Sequence, residues 1–240
     1  MFNIVNIPQT DRKLKLLNRD DGHWYENEYG KIIPSVTTLR NIVHPKDWYK
    51  FWVFGLMKKY DINKDNAEIM AKKVGENSMK VGTAMHELLE DYCNNRELRS
   101  FAGVEFEKSP YELFDTVKST LDESVTDVFA TEYPMYSDTL GVAGTVDMIC
   151  TFDGEKSIVD YKNSRSYKSL GDVINRGYCE QVCAYGEIWN ETFNDNIRQG
   201  VIIIASWDDR CRVFKINLEE YLKPLYNTLT KYEEITYDQK

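Results

Sequence analysis

Residues 200–206, Gly-Val-Ile-Ile-Ile-Ala-Ser, restrict the fold of this chain more than any other stretch. A strand with one face in water alternates apolar and polar side chains, and this run does not. As a strand it therefore needs cover on both faces, which means helices on either side of a sheet. The run extends to Asp208, and "CRVFKINL" (211–218) reads as its hairpin partner. Chain order around it predicts an α/β architecture with a mixed sheet, α-β-β-β-α-β-β-α.

Upstream, "HWYENEYGKIIPS" (23–35) reads as a hairpin around Gly30, and Ser35 as the cap of a short helix, "SVTTLRNIV". Helical spacing follows over 47–60, with aromatics at 48, 51 and 52, and then over 64–74 and 77–95. In the last of these, Val81, Met85, Leu88, Leu89 and Tyr92 make one apolar stripe. Residues 109–129 read as a helix opened by Pro110, with Ser109 and Glu112 in capping-box spacing. Three strands follow over 129–137, 141–152 and 156–164, parted by turn signals at 138–141 and 153–154, and then a helix over 172–190. A final helix starts near Asn217 and is expected to kink or break at Pro224. Two regions are expected: residues 1–74, a hairpin and helical appendage, and residues 75–240, the core, packed together as one compact unit.

The 240 residues carry a net charge of −9, which argues against a duplex binder coated in positive charge. Charge is unevenly spread, with 14 Lys/Arg against 10 Asp/Glu in residues 1–80 and 16 against 29 in residues 81–240. A basic N-terminal third can hold an anionic polymer locally, although an acidic body made for solubility accounts for the same numbers. No stretch has the length and apolarity of a membrane span, and the N-terminal residues lack the pattern of a signal peptide. Five cysteines at 93, 150, 179, 183 and 211 form no CxxC pair. A cytoplasmic protein without a membrane partner is expected.

Two of the predicted strands are interrupted by charge. Asp147 breaks "GTVDMIC", and Asp160 and Lys162 break "SIVDYKNS". Alternation puts Asp160 and Lys162 on one face. Two carboxylates on adjacent strands are costly to bury together unless a cation neutralises them, and Mg²⁺ or Mn²⁺ prefers such oxygen ligands. Lys162 is then placed to act on water or phosphate. Taken alone, Asp160 and Lys162 are better explained as a simple ion pair on an edge strand. His86 lies on a helix between Gly82 and Glu90 at i−4 and i+4, Glu132 lies on the preceding strand, and Gln181 and Tyr185 share a helix face.

The ordered motifs "GTAMH", "TEYP", "GTVD", "VDYK" and "QVCAY" resemble the PD-(D/E)xK nuclease superfamily, in particular its RecB-type exonuclease domains. The likeness spans about residues 75–235. Upstream "IPSVTTL" and downstream "GVIIIASWDD" extend it toward the mitochondrial genome maintenance exonucleases and their phage-type relatives. It implies the αβββαβ nuclease core and a Mg²⁺- or Mn²⁺-dependent exonuclease acting on DNA with a free end, preferably single-stranded. Phage or bacterial recombination, replication or repair, with a partner protein from those processes, is the implied setting. A structure-specific endonuclease and a catalytically silent DNA-binding module are the alternatives.

The resemblance further implies that Asp147, Asp160, His86 and the Tyr161 carbonyl ligate metal, and that Lys162 activates water. Glu132 joins the catalytic set, and Gln181 and Tyr185 position the DNA backbone. Lys80, Arg165, Lys168 and Ser35 are further candidates for substrate binding. Some relatives carry an iron–sulfur cluster; without CxxC or any cysteine before Cys93, none is expected here. The first acidic motif reads Thr145-Val146-Asp147, without the proline of the superfamily name. Most of the aromatic stripe at 48, 51 and 52 reads as core, with a basic helical arch over the strand, carrying Trp48 and Trp52, as the alternative.

Overall fold

In a computed structural model describing residues 1–45 and 48–237, Val201 to Ala205 are almost wholly shielded from solvent. Their side chains alternate between two apolar clusters, Ile202 and Ile204 entering one, Val201, Ile203 and Ala205 the other. The unbroken apolar run is thus a central strand covered twice.

Chain order begins with β1 (Asn3–Ile4), β2 (Leu14–Arg19), β3 (Gly22–Asn27) and β4 (Ile32–Pro34). Three helices follow, α1 (Val36–Val43), α2 (Trp48–Tyr60) and α3 (Lys64–Cys93), and then α4 (Pro110–Ser124). The strands β5 (Val125–Ser137), β6 (Val142–Phe152) and β7 (Glu155–Ser164) form a meander. Next come α5 (Leu170–Asn175), α6 (Tyr178–Phe193), β8 (Gln199–Ser206), β9 (Cys211–Asn217) and α7 (Glu219–Tyr237). The main sheet has the order β1-β5-β6-β7-β8-β9, and β2-β3-β4 form a separate antiparallel sheet. β7 and β8 run parallel because α5 and α6 cross over between them, and the pairs β5–β6, β6–β7 and β8–β9 are antiparallel. Helices α3 and α4 cover one face with Met85, Leu88, Leu89, Val117 and Leu121. Helices α1, α6 and α7 cover the other with Leu39, Val182, Trp189, Leu225 and Leu229. Among the described residues, no helix is long and apolar enough to cross a membrane.

The hairpin around Gly30 is present as β3–β4, and the mixed sheet flanked by helices is as expected. Several boundaries differ. Residues 64–74 and 77–95 are one 30-residue helix, α3, capped by Asn63 and passing through Gly75. A single interior glycine costs about 1 kcal/mol and does not end a helix whose flanks are packed. One element therefore crosses positions 74 and 75, the expected border between appendage and core. The helix expected to reach 129 ends at Ser124, because Val125 and Val128 are buried in the ladder with β6. Ser109 makes no side-chain cap; Glu112 pairs with Lys108 instead.

The helix expected over 172–190 is two helices. They part at Gly177, whose φ is +74°, and Arg40 Nε lies 1.7 Å from where a Cβ there would be. Only glycine combines that dihedral with that neighbour. A capping box does occur, at Ser169 and Asp172. Helix α7 is continuous through the exposed Pro224 rather than broken. Strands β1 and β2 are additions to the expected set.

Candidate metal centre

The antiparallel ladder of β6 and β7 runs from Phe152↔Glu155 to Met148↔Val159 and stops there. One step further Asp147 and Asp160 would face each other. Instead, the backbone N–H of Tyr161 donates to Asp147 Oδ2 at 2.6 Å, so a side chain takes over the role of a ladder carbonyl. The strands part at this point, and the polar groups that the sequence placed in the core gather in the opening.

Glu132 sits opposite Asp147, between the pairs Thr131↔Met148 and Tyr133↔Val146. Its φ is +44°, a left-handed conformation inside a strand. For a non-glycine residue this is strained, and such strain persists where surrounding structure enforces it. From α3, His86 reaches into the same opening. Its Nε2 lies 3.1 Å from the Tyr161 carbonyl, and its Nδ1 lies 3.6 Å from Asp147 Oδ1 and 3.7 Å from Glu132 Oε1. Gly82, one turn before His86, allows close approach of β7: a Cβ there would lie 2.1 Å from Asn163 Nδ2. That amide donates instead to the Ser78 carbonyl at 3.1 Å.

Val159 and Tyr161 face α3 and α4, while Ile158 faces α6. Alternation therefore directs Asp160 and Lys162 toward α6. Asp160 is fully buried, and Lys162 Nζ lies 2.7 Å from its Oδ1 and 2.6 Å from its Oδ2. Only the Oδ1 contact is aligned as a hydrogen bond; Oδ2 is left without one. The buried pair is thus electrostatically matched but incompletely satisfied.

Charge coupling follows from this crowding. Burial alone would lower the His86 pKa, but the charge of Asp147 and contacts with Asp147 and Glu132 outweigh it and raise the pKa to about 10. For Asp147, burial works upward, yet His86 and Lys162 hold its carboxyl below the usual range. Asp160 goes the other way, pushed by burial to about 6 despite Lys162. Lys162 is raised: burial opposes its charge, and Asp160 and Asp147 restore it.

His86, Glu132 and Asp147 each offer one ligand atom, and the three atoms lie within 4.8 Å of one another. Carboxylate oxygens with one imidazole suit a divalent cation of the Mn²⁺ type, and Mg²⁺ through the oxygens. Asp160 Oδ2 is a buried oxygen without an aligned hydrogen bond, and the Tyr161 carbonyl lies 3.1 Å from His86 Nε2. The residues present therefore fit such an ion. A cleft of about 550 Å³, lined among others by Gly82, Thr83, His86, Glu132 and Asn163, opens the centre to solvent.

The other candidates are placed differently. Gln181 and Tyr185 are buried and bond to each other at 3.1 Å, with the Tyr185 ring packed on Gly144. Tyr185 offers almost no exposed surface, while Gln181, also buried, lines a cavity beside α1. Ser35 is also buried; its Oγ caps α1 by accepting from Thr38 N at 3.0 Å. Lys80 donates to the Glu105 carbonyl, and the Arg165 guanidinium grips both carboxylate oxygens of Glu107 while lying 3.9 Å from the Trp207 ring centroid. Both fasten the loop between α3 and α4. Lys168 donates to Ser166 Oγ, and burial and the charge of Arg176 lower its pKa. Glu90 pairs with Arg96 and Arg99. Trp52 packs beside Ala67 and Ala71, and the Trp48 side chain lies outside the described residues. Asn163 and Tyr178 border the site without having been singled out. Asn163 is the next residue after the D-x-K pattern, and Tyr178 follows the glycine that splits the α5–α6 segment; no spacing rule marks either.

No family model and no curated protein matches this sequence. Among solved structures, the crystal structure of SSO0001 is similar at 18% identity and a TM-score of 0.29, over 48% of this chain and 55% of that one. The chain thus spans about half the length of that structure, and a likeness of this size supports no conclusion about fold or activity.

Proposed function

We propose that this protein is a divalent-cation-dependent nuclease of the PD-(D/E)xK type. In this reading it hydrolyses phosphodiester bonds of linear, preferably single-stranded DNA from a free end. One observation carries the reading: His86, Glu132, Asp147, Asp160 and Lys162 converge where β6 and β7 part. The order of helix, three antiparallel strands, helix and parallel strand around that point supports the αβββαβ core.

His86, Glu132 and Asp147 would hold Mg²⁺ or Mn²⁺, with Asp160 and the Tyr161 carbonyl adjoining. Such an ion, when bound, polarises the scissile phosphate and lowers the pKa of water. Lys162 supplies the positive charge of the chain itself. Its side chain is about one-fifth exposed, and its ammonium is anchored on Asp160. From there it donates a hydrogen bond to the attacking water or a phosphate oxygen, offsetting negative charge that grows in the transition state. The Asp147 side chain fixes the backbone at Tyr161 and so holds the two strand ends apart. In the reaction, water oxygen bonds to phosphorus, the ester P–O bond breaks, and a proton passes to the leaving oxygen.

The test is a time course with end-labelled linear single strands and a closed single-stranded circle, in Mg²⁺ and in Mn²⁺. Shortening of the linear strands, survival of the circle, and loss of activity with chelator and in Lys162→Ala are expected. Loss of activity of the order of a hundredfold or more fits a group acting on the developing charge. Nicking of the circle would assign an endonuclease instead, and no cleavage with either ion would refute the reading.

A further inference from the structure

Lys162 has a second neighbour besides Asp160. Its Nζ lies 5.2 Å from the centroid of the Tyr178 ring, within the range of a cation–π contact. Tyr178 is the first residue of α6 and follows Gly177, whose left-handed φ of +74° turns the chain out of α5. Arg40 packs where a Cβ on Gly177 would stand and donates through Nη2 to the Asn175 carbonyl at 2.9 Å. The backbone that presents Tyr178 is therefore held by Arg40. Tyr178 also lines a cavity of about 490 Å³ between α1 and the α5–α6 turn, together with Arg40, Arg176 and Gln181. Lys162 thus stands between a buried carboxylate and an aromatic ring that borders open space.

We propose that Tyr178 is the positioning residue for Lys162. Asp160 is both the partner of the ammonium and, under the nuclease reading, a neighbour of the cation. An oxygen drawn toward a cation releases the lysine. The Tyr178 ring then keeps the ammonium at the mouth of the site rather than letting it swing into solvent. It acts through its face, so the ring and not the hydroxyl is required. The kinetic part of this assignment rests on the nuclease reading; the placement of the ammonium does not.

The experiment has two arms. In the cation-free protein, the Hε resonances of Lys162, identified by their loss in Lys162→Arg, are expected upfield of other lysines because of the ring current. They stay there in Tyr178→Phe and move to the position of exposed lysines in Tyr178→Leu. With linear single-stranded DNA and Mg²⁺, Tyr178→Leu is expected to lower kcat by about tenfold with KM little changed, the order a partly desolvated cation–π contact supports, and Tyr178→Phe to restore it. The Phe variant separates a missing ring from a damaged fold. Unshifted Lys162 resonances in the parent protein overturn the proposal whether or not DNA is cut. So does a Tyr178→Leu enzyme with full kcat. Shifted resonances in a protein that cuts nothing leave the placement standing and remove the nuclease reading instead.

Discussion

At the scale of single residues, the centre stores positive charge as a proton. His86 is held between Asp147 and Glu132, and its pKa lies near 10 rather than 6.5. A group raised in the folded state stabilises fully below its unfolded pKa, and that contribution is lost as pH rises through the folded value. The cation-free protein therefore loses this contribution between about pH 6.5 and pH 10. An arriving Mn²⁺ needs the neutral imidazole, so binding must displace the proton. Calorimetry at pH 7.5 in buffers of different ionisation enthalpy should show close to one proton released per ion, with affinity rising about tenfold per pH unit in this range. His86→Gln should abolish the release, and equal heats in all buffers would show that no proton leaves His86 when the ion binds. With imidazole in the donor set, Mn²⁺ should bind more tightly than Mg²⁺, measured in the same titrations.

At the scale of elements, two glycines have opposite consequences. Gly75 lies inside α3, and a methyl group added there would meet nothing within 4 Å. Gly75→Ala should stabilise by up to about 1 kcal/mol, and raise the melting temperature by a few degrees. Gly177 has φ of +74° and Arg40 Nε 1.7 Å from a Cβ position. Gly177→Ala should destabilise by about 1–3 kcal/mol through strain and displacement of Arg40. Urea midpoints of the two variants should fall on opposite sides of the parent, and a Gly177→Ala protein as stable as the parent would rule out this account of the α5–α6 turn. Sequence periodicity located both helices but misplaced their joints. It parted α3 at 75–76 and passed over Gly177, because a glycine's effect depends on which backbone and side chains surround it.

At the scale of the whole molecule, β8 is covered on both faces, its side chains entering the two main apolar clusters. Ile203 is fully buried against the α3–α4 layer. Ile203→Ala should cost about 2–5 kcal/mol, the range for a buried aliphatic truncated in a core that relaxes only partly. A loss below about 1 kcal/mol in urea unfolding would mean the site collapses freely. The same double cover was legible in Val201–Ala205, since no amphipathic strand is written that way. The three-strand run and the flanking helices followed from periods of two and 3.6 and from turn residues. So did the shared face of Asp160 and Lys162, because alternation along a strand is local geometry. Other features were decided only by packing. The ladder ends one pair before Asp147 and Asp160, Glu132 adopts a left-handed φ opposite Asp147, and His86 enters from a helix 75 residues away to reach the Tyr161 carbonyl. Tertiary contacts also turned Lys80 and Arg165 into loop fasteners and brought Tyr178 to Lys162. The sequence by itself determined which residues were too polar for the places they occupy. The tertiary structure decided which of them meet, because ion pairs and cation–π contacts depend on distances between elements that no local pattern encodes.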